Sequence, residues 1–348
     1  FFELGGHSLL AVKLVQAIKD SFGQELELAS LLATPTLAEM ALALHHGIGT
    51  ERSSALVKLQ PKGDETPVFC VCSLGGTVLN QRPLATRLAG RPFYGLQAIE
   101  LDARLGRPAT IEDYAAAYIE AMKKVQPRGP YVIGGHSFGG IVSFEIAQQL
   151  TKAGDEVEML FILDSSLPNL DRGALDQLAC IFAFLRGLPY LPAETLQQIR
   201  SDPEHLTRAL KQKLRFVARK TGLASAKPAP GPRPLAPAHA SDPGSMRVAD
   251  IVEMTNWPEN NRKIAQRHWR AVQAYRPQRY PGRITLFRSR FQSPFLGLGS
   301  EMGWDRVAMG GVEVVRVPGG HLSVLQPPNV DVLARRFLER LALRRRAA

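Results

Sequence analysis

Three residues far apart in the chain have the types needed for acyl transfer through a serine. Ser137 stands between Gly135 and Gly139 in the stretch Tyr131-Val-Ile-Gly-Gly-His-Ser-Phe-Gly-Gly. This is the G-x-S-x-G pattern of a nucleophile elbow, a strand-to-helix turn so tight that side chains two residues either side would clash. Asp164 closes the apolar run Val157-Glu-Met-Leu-Phe-Ile-Leu-Asp, and His321 follows Val312-Glu-Val-Val-Arg-Val and the turn Pro318-Gly319-Gly320. A serine hydroxyl is a poor nucleophile at neutral pH. A histidine in reach would take its proton, and a carboxylate would fix that imidazole's tautomer and stabilise the imidazolium. Each residue also has a plainer reading. Ser137 could be incidental in a Gly-rich turn. Asp164 could be a strand-end turn former, with Asp305 or Asp331 supplying the acid. His321 could be a satisfied loop histidine, yet of the eight histidines it alone follows a strand and a Pro-Gly-Gly turn this late in the chain. Taken together, the three favour catalysis.

The elements that must carry them are legible too. The run before Ser137 is β-branched and aromatic, as a buried strand should be, and Ile141 to Leu150 has helical apolar spacing. In a parallel sheet the strand C-termini gather on one edge, so distant residues converge there. The chain order Ser137, Asp164, His321 is that of α/β-hydrolases. The expected fold class is therefore α/β, a mostly parallel sheet flanked by helices. Acyl transfer also needs donors aimed at the tetrahedral oxyanion. The N–H of Phe138, at the helix start, is one. The second is expected from the turn after the strand Val68-Phe-Cys-Val-Cys, at Leu74, with Ser73 the neighbouring choice and a plain Gly75-Gly76 turn the simpler reading. The βα rhythm breaks between about 170 and 262. Residues 174–188 read as an apolar helix, 193–220 as helical and basic, and 224–245 as a proline-rich flexible loop. Such an insertion would form a helical lid. Ile181, Phe182, Phe184 and Leu185 are candidates to touch an acyl chain, although packing the lid on the body explains any one of them as well.

Composition sets wider bounds. A chain of 348 residues with 45% apolar content can bury a sizeable core. No run approaches a membrane-spanning length and no signal peptide is evident at the start. Of three cysteines, Cys70 and Cys72 sit two apart on one strand without a second ligand pair, which reads as buried thiols rather than metal. No metal, no membrane and a cytoplasmic location are expected. The net charge of +11 comes from 43 basic and 32 acidic residues. These are scattered, apart from Arg344-Arg345-Arg346 at a helical end, and no nucleic-acid motif accompanies them. A solvated basic surface is the expectation, one that could attract an anionic phosphate.

A second serine lies near the start, in Phe1-Phe-Glu-Leu-Gly-Gly-His-Ser-Leu-Leu-Ala. Leu9, Leu10, Val12, Leu14, Val15 and Ile18 make an apolar helical face, so Ser8 reads most simply as an N-cap, at a position that also favours a phosphate. The full string, with Leu31-Leu-Ala-Thr-Pro-Thr-Leu following, resembles the carrier domain of nonribosomal peptide synthetases. The resemblance implies that Ser8 bears 4′-phosphopantetheine, installed by a phosphopantetheinyl transferase. Carrier domains are usually four-helix units and this one is expected to lack its first helix. Downstream, the three candidate residues fall where type I thioesterase domains of these synthetases carry a triad. Trp269-Arg-Ala-Val-Gln-Ala-Tyr-Arg-Pro-Gln-Arg-Tyr-Pro-Gly and Gly303-Trp304-Asp305 also resemble that family, whereas Cys72-Ser73 stands where relatives often show His-Pro. The implied organisation is a carrier at 1–46, a linker at 47–66, and a thioesterase at 67–343 with a lid at about 170–262. The implied function is release of a peptidyl or acyl thioester delivered by upstream synthetase modules, by hydrolysis or macrocyclisation. Alternatives are release from a polyketide or mixed synthetase, editing of stalled carriers, and a catalytically silent docking module.

Overall fold

A computed structural model of the protein describes residues 8–23, 37, 40–41, 55–88, 90–168, 257, 259–291 and 299–347. Two compact units are present. Phe1–Leu185 with Lys263–Ala348 form the first and hold the sheet and the site residues, and Arg186–Arg262 form the second, of which only Trp257 and residues 259–262 are described. The proline-rich stretch, the helices expected at 174–188 and 193–220, and the carrier boundary at 46 lie outside the described residues.

Helix α1 spans Ser8–Phe22. The sheet begins with β1 (Leu56–Gln60) and β2 (Val68–Val71), followed by a 3-10 turn at Leu79–Gln81 and the short α2 (Arg82–Ala85). Next come β3 (Phe93–Leu96), α3 (Asp102–Leu105), α4 (Ile111–Lys123), β4 (Tyr131–His136), α5 (Phe138–Lys152) and β5 (Val157–Leu163). After the insertion follow α6 (Glu259–Ala274), β6 (Ile284–Phe291), β7 (Val312–Gly320) and α7 (Asn329–Ala347). The seven strands form one sheet in the order β1-β3-β2-β4-β5-β6-β7. Only β1 is antiparallel to its neighbour.

Within the stretch expected as a linker, Leu56–Gln60 is an edge strand paired with β3. Its pattern misleads because an edge strand meets the sheet on one side only and tolerates polar residues. The inner strands behave as apolar runs should: β2, β3 and β4 are buried throughout. Period-two alternation along β5 sets the two helical layers. Ile162 faces α5, touching the place where Gly140 would carry a side chain, and Phe161 stacks edge-on against Phe337 of α7 on the opposite face. A capping box at Thr110 and Asp113 starts α4, which packs against α5. The basic end of α7 is not a free solvated surface. Arg344 donates to Thr285 Oγ1 at 2.9 Å, and Arg345 pairs with Glu158 at 2.7 Å and Glu65 at 3.1 Å.

The chain runs from β2 outward to β3, crosses back to β4, and then proceeds to β7. The order reverses beside β2 and β4, the position at which open α/β sheets gather their ligand-binding residues at the strand C-termini. Leu74 follows β2 and Ser137 follows β4, so both lie at this reversal.

Candidate active site

The elbow at Ser137 is set by backbone crowding. A side chain on Gly135 would run into the Gly139 backbone, and one on Gly139 would meet the carbonyls of Val71 and Cys72. Glycine at both places lets α5 start hard against the sheet. Ser137 itself has φ 57° and ψ −119°, a conformation that L-residues rarely adopt. Its N–H donates to Leu163 O at 3.1 Å, which extends the β4–β5 ladder through the turn and holds the strain in place.

Asp164 follows β5, fully buried and also in the left-handed region at φ 50°, with its N–H on Phe287 O at 2.8 Å. Its Oδ1 accepts from the Ser289 N–H at 2.7 Å and its Oδ2 accepts from His321 Nδ1 at 2.9 Å. Burial pushes this carboxyl up, but the His321 hydrogen bond and charge, with the Ser289 N–H and hydroxyl, outweigh it and hold the group below the usual carboxylate range. An ionised carboxylate only accepts, so Nδ1 of His321 carries the proton and Nε2 is free to accept. Nε2 lies 3.1 Å from Ser137 Oγ. The structure thus brings together Ser137, Asp164 and His321. The alternative acids stand elsewhere: Asp331 pairs with Arg87 at 2.5 Å, and Asp305 lies in a 3-10 turn.

Leu74 and Phe138 sit at the ends of adjacent elements, each nearly buried. Among the described residues neither N–H has a hydrogen-bond partner. Gly76, at φ 82°, makes the turn that brings its N–H back to Ser73 O at 2.9 Å.

Several site residues escape sequence reasoning. His136 is buried, and its Nε2 donates to the carbonyl of His321 at 2.8 Å, because a carbonyl can only accept. Nδ1 therefore accepts from Ser73 Oγ at 2.9 Å, and that oxygen accepts from Asn80 Nδ2 at 3.3 Å. Burial, reinforced by nearby His321, lowers the His136 pKa to about 3. A neutral ring can lie against His321, with centroids 4.6 Å apart and planes tilted by 34°. Trp304 is buried and donates to Ser165 O at 2.7 Å, which steadies the chain just after Asp164. His136 was visible as part of the G-x-S-x-G string. Ser289 carried no signal, because only sheet register brings it to Asp164.

Cys70 and Cys72 are buried and burial raises both thiols, Cys72 to about 12, so neither is a ready nucleophile or metal ligand. No group of three or more potential ligands that could hold a metal occurs among the described residues. None of the described helices is long and apolar enough to cross a membrane.

Ser8 is the first residue of α1. The helix has no acidic residue in its first turn, so nothing there opposes a phosphate drawn to the N-terminal end of the dipole. The attachment of a phosphopantetheine group is compatible with that placement.

A mostly parallel sheet between helices, with a serine elbow at its topological reversal, is an α/β-hydrolase fold. Residues 66–341 match the family model "Thioesterase domain", and residues 1–44 match "Phosphopantetheine attachment site". The chain belongs to the thioesterase domain family, preceded by a phosphopantetheine attachment domain. It is 42% identical over 47% of its length to a dimodular nonribosomal peptide synthase of Bacillus subtilis. It is 29% identical over 99% of its length to the chondramide synthase cmdD of Chondromyces crocatus. The chain spans only 7% and 8% of those two relatives. Among solved structures, a four-domain nonribosomal peptide synthetase is 27% identical with TM-score 0.55, covering 97% of this chain and 24% of that one. The NocB thioesterase domain, at 21% identity and TM-score 0.51, shares the fold over 82% of this chain and 99% of its own.

Proposed function

We propose that the protein releases an acyl or peptidyl group from a nonribosomal peptide synthetase carrier through an acyl-enzyme on Ser137. The observation that supports this best is His321 bridging Ser137 Oγ and Asp164 Oδ2 at 3.1 and 2.9 Å. Ser137 Oγ attacks the thioester carbonyl while Nε2 of His321 takes its proton. Buried Asp164 keeps Nδ1 protonated and offsets the imidazolium charge. The N–H groups of Leu74 and Phe138 face the oxygen that becomes negative. The tetrahedral adduct collapses, the thiol leaves with the proton from His321, and Ser137 keeps the acyl group. Water, or an amine or hydroxyl of the same acyl chain, then loses a proton to His321 and attacks the ester, and the second adduct collapses by breaking the bond to Ser137 Oγ, which takes the proton back from His321.

Phosphopantetheine on Ser8, when attached, supplies a flexible arm ending in the thiol that presents the acyl group. A phosphopantetheinyl transferase would install it and upstream modules would load it. Having the attachment domain and the hydrolase in one chain raises the thioester's effective concentration, which favours product release over editing in trans. The domain limits that go with this reading are a carrier to about 46 and a thioesterase from the start of β1 to about 343.

The test is to offer short peptidyl thioesters, quench within the first turnovers, and weigh the intact protein and its digests. Acyl mass on the peptide bearing Ser137, followed by free acid or ring, is the expected result. Turnover with no acyl adduct in the wild type, and undiminished in Ser137→Ala, would overturn it.

A further inference from the structure

Leu74 must hold its N–H at a fixed place, yet Gly75 and Gly76 follow it and allow wide backbone freedom. Two side chains from distant elements restrain it. On one flank, Ser73 is tied through its hydroxyl to His136. On the other, His268 of α6 lies 1% exposed with Nδ1 3.0 Å from the Leu74 carbonyl. A carbonyl only accepts, so Nδ1 bears the proton. The same imidazole lies flat on the Phe138 ring, with centroids 4.1 Å apart and planes 5° from parallel. Tyr114 closes the cluster, edge-on to His268 at 5.1 Å and to Phe138 at 6.2 Å. His268 thus touches both residues whose N–H groups are assigned to the oxyanion, Leu74 at a separation of 194 residues and Phe138 from another element of the fold. Burial lowers its pKa to about 4, so the ring is neutral at physiological pH and adds no cation to the site.

We propose that His268 is a positioning residue for the oxyanion site, its Nδ1–H fixing the Leu74 peptide and its ring fixing Phe138, so that one side chain sets the spacing of the two donors. The inference rests on the acyl-enzyme reading of Ser137. Removing one well-placed oxyanion donor costs on the order of 10²–10³ in kcat, and loosening one costs a part of that.

Two substitutions separate the contacts. His268→Phe keeps a ring on Phe138 and removes the donor. His268→Asn places an amide nitrogen where Nδ1 was and removes the ring. In the full chain acting on a peptidyl thioester, H268F is expected to lower kcat roughly 10- to 100-fold with KM changed less than about threefold. H268N is expected to retain clearly more activity than H268F, with a thermal midpoint no higher. An H268F kcat within about threefold of wild type, a loss carried by KM, or equal losses that track thermal stability would overturn the proposal. Nitrogen-15 NMR of the wild-type histidines gives a test that does not depend on how the variants fold. The Nδ1–H tautomer is expected at His268, and the Nε2–H tautomer would overturn the proposal. Should wild type itself form no acyl-enzyme, the reading of Ser137 fails; a reactive wild type with an unimpaired H268F removes only the role of His268.

Discussion

The tetrapeptide Gly-Gly-His-Ser occurs twice, at residues 5–8 and 134–137. In both places the serine stands at the start of a 15-residue helix. The helices differ. In α5, eleven residues from Phe138 to Leu150 are buried, because the helix is pressed against β2, β4 and β5. In α1, Ala11 and Ile18 are buried while Leu10 and Phe22 are exposed, the signature of a helix with one covered side. Ser137 is bent to φ 57° by a sheet ladder on one side and a crowded helix start on the other, and it meets His321. The four letters therefore do not specify chemistry. On the function proposed above, a strand before the serine and a base in reach distinguish a nucleophile from an attachment point.

The largest effects would come from exchanging the two serines' roles. Ser137→Ala is expected to lower kcat/KM for a peptidyl thioester by at least about 10³-fold and abolish fluorophosphonate labelling. Ser8→Ala is expected to abolish the mass gain from coenzyme A and a pantetheinyl transferase while the label on Ser137 persists. Labelling of S137A, or a mass gain in S8A, would break the distinction.

Asp164→Asn comes next. With its carbonyl oxygen against Nδ1–H but a donor amide competing for the same partners, the tautomer is no longer enforced, and a kcat loss on the order of 10³–10⁴ is expected. A loss below about tenfold would return the acid's role to Asp305 or Asp331.

His136 tests how much of the difference lies in the histidine before each serine. His136→Phe keeps a ring against His321 and removes both hydrogen bonds, so a roughly 10-fold fall in kcat is expected. The equivalent His7→Phe should leave Ser137 labelling kinetics untouched.

The smallest effect concerns acid stability. His136 and His268 have folded pKa values lowered by burial to about 3 and about 4, against about 6.5 when unfolded. Below pH 6.5 the unfolded chain binds more protons at these sites, so stability falls as pH falls, until about pH 4 for His268 and about pH 3 for His136. Asp164, held low in the fold, adds a loss in the same direction as pH drops through the carboxylate range. The thermal midpoint should drop by on the order of 10 °C between pH 7 and 4.5. A flat midpoint would mean that these rings are solvated.

Sequence reasoning reached the sheet and the residues at its edge because buried parallel strands announce themselves as apolar runs, and Ser137, Asp164 and His321 are where those runs stop. It missed β1, because Leu-Val-Lys-Leu-Gln sits among polar residues and is held from one side. It placed Leu74 from a Gly-Gly turn and Phe138 from a helix start, both local features. It did not reach Ser289 or His268. Ser289 meets Asp164 only through the register of β6 on β5, and His268 meets Leu74 only through the packing of α6. Such partners are fixed by tertiary geometry, which no window along the chain contains.

The pairing of β5 with β6 has one more consequence. Leu163 lies opposite Phe287, so two hydrogen-bonded neighbours close a very long excursion of the chain. The entropy of closing a flexible loop grows only with the logarithm of its length, and doubling it costs about 0.6 kcal/mol. A change in the length of chain between Leu163 and Phe287 would therefore add or remove little closure entropy, and the two strands could still pair. The meeting of Asp164 and Ser289 depends on that pairing and not on the number of residues between the strands.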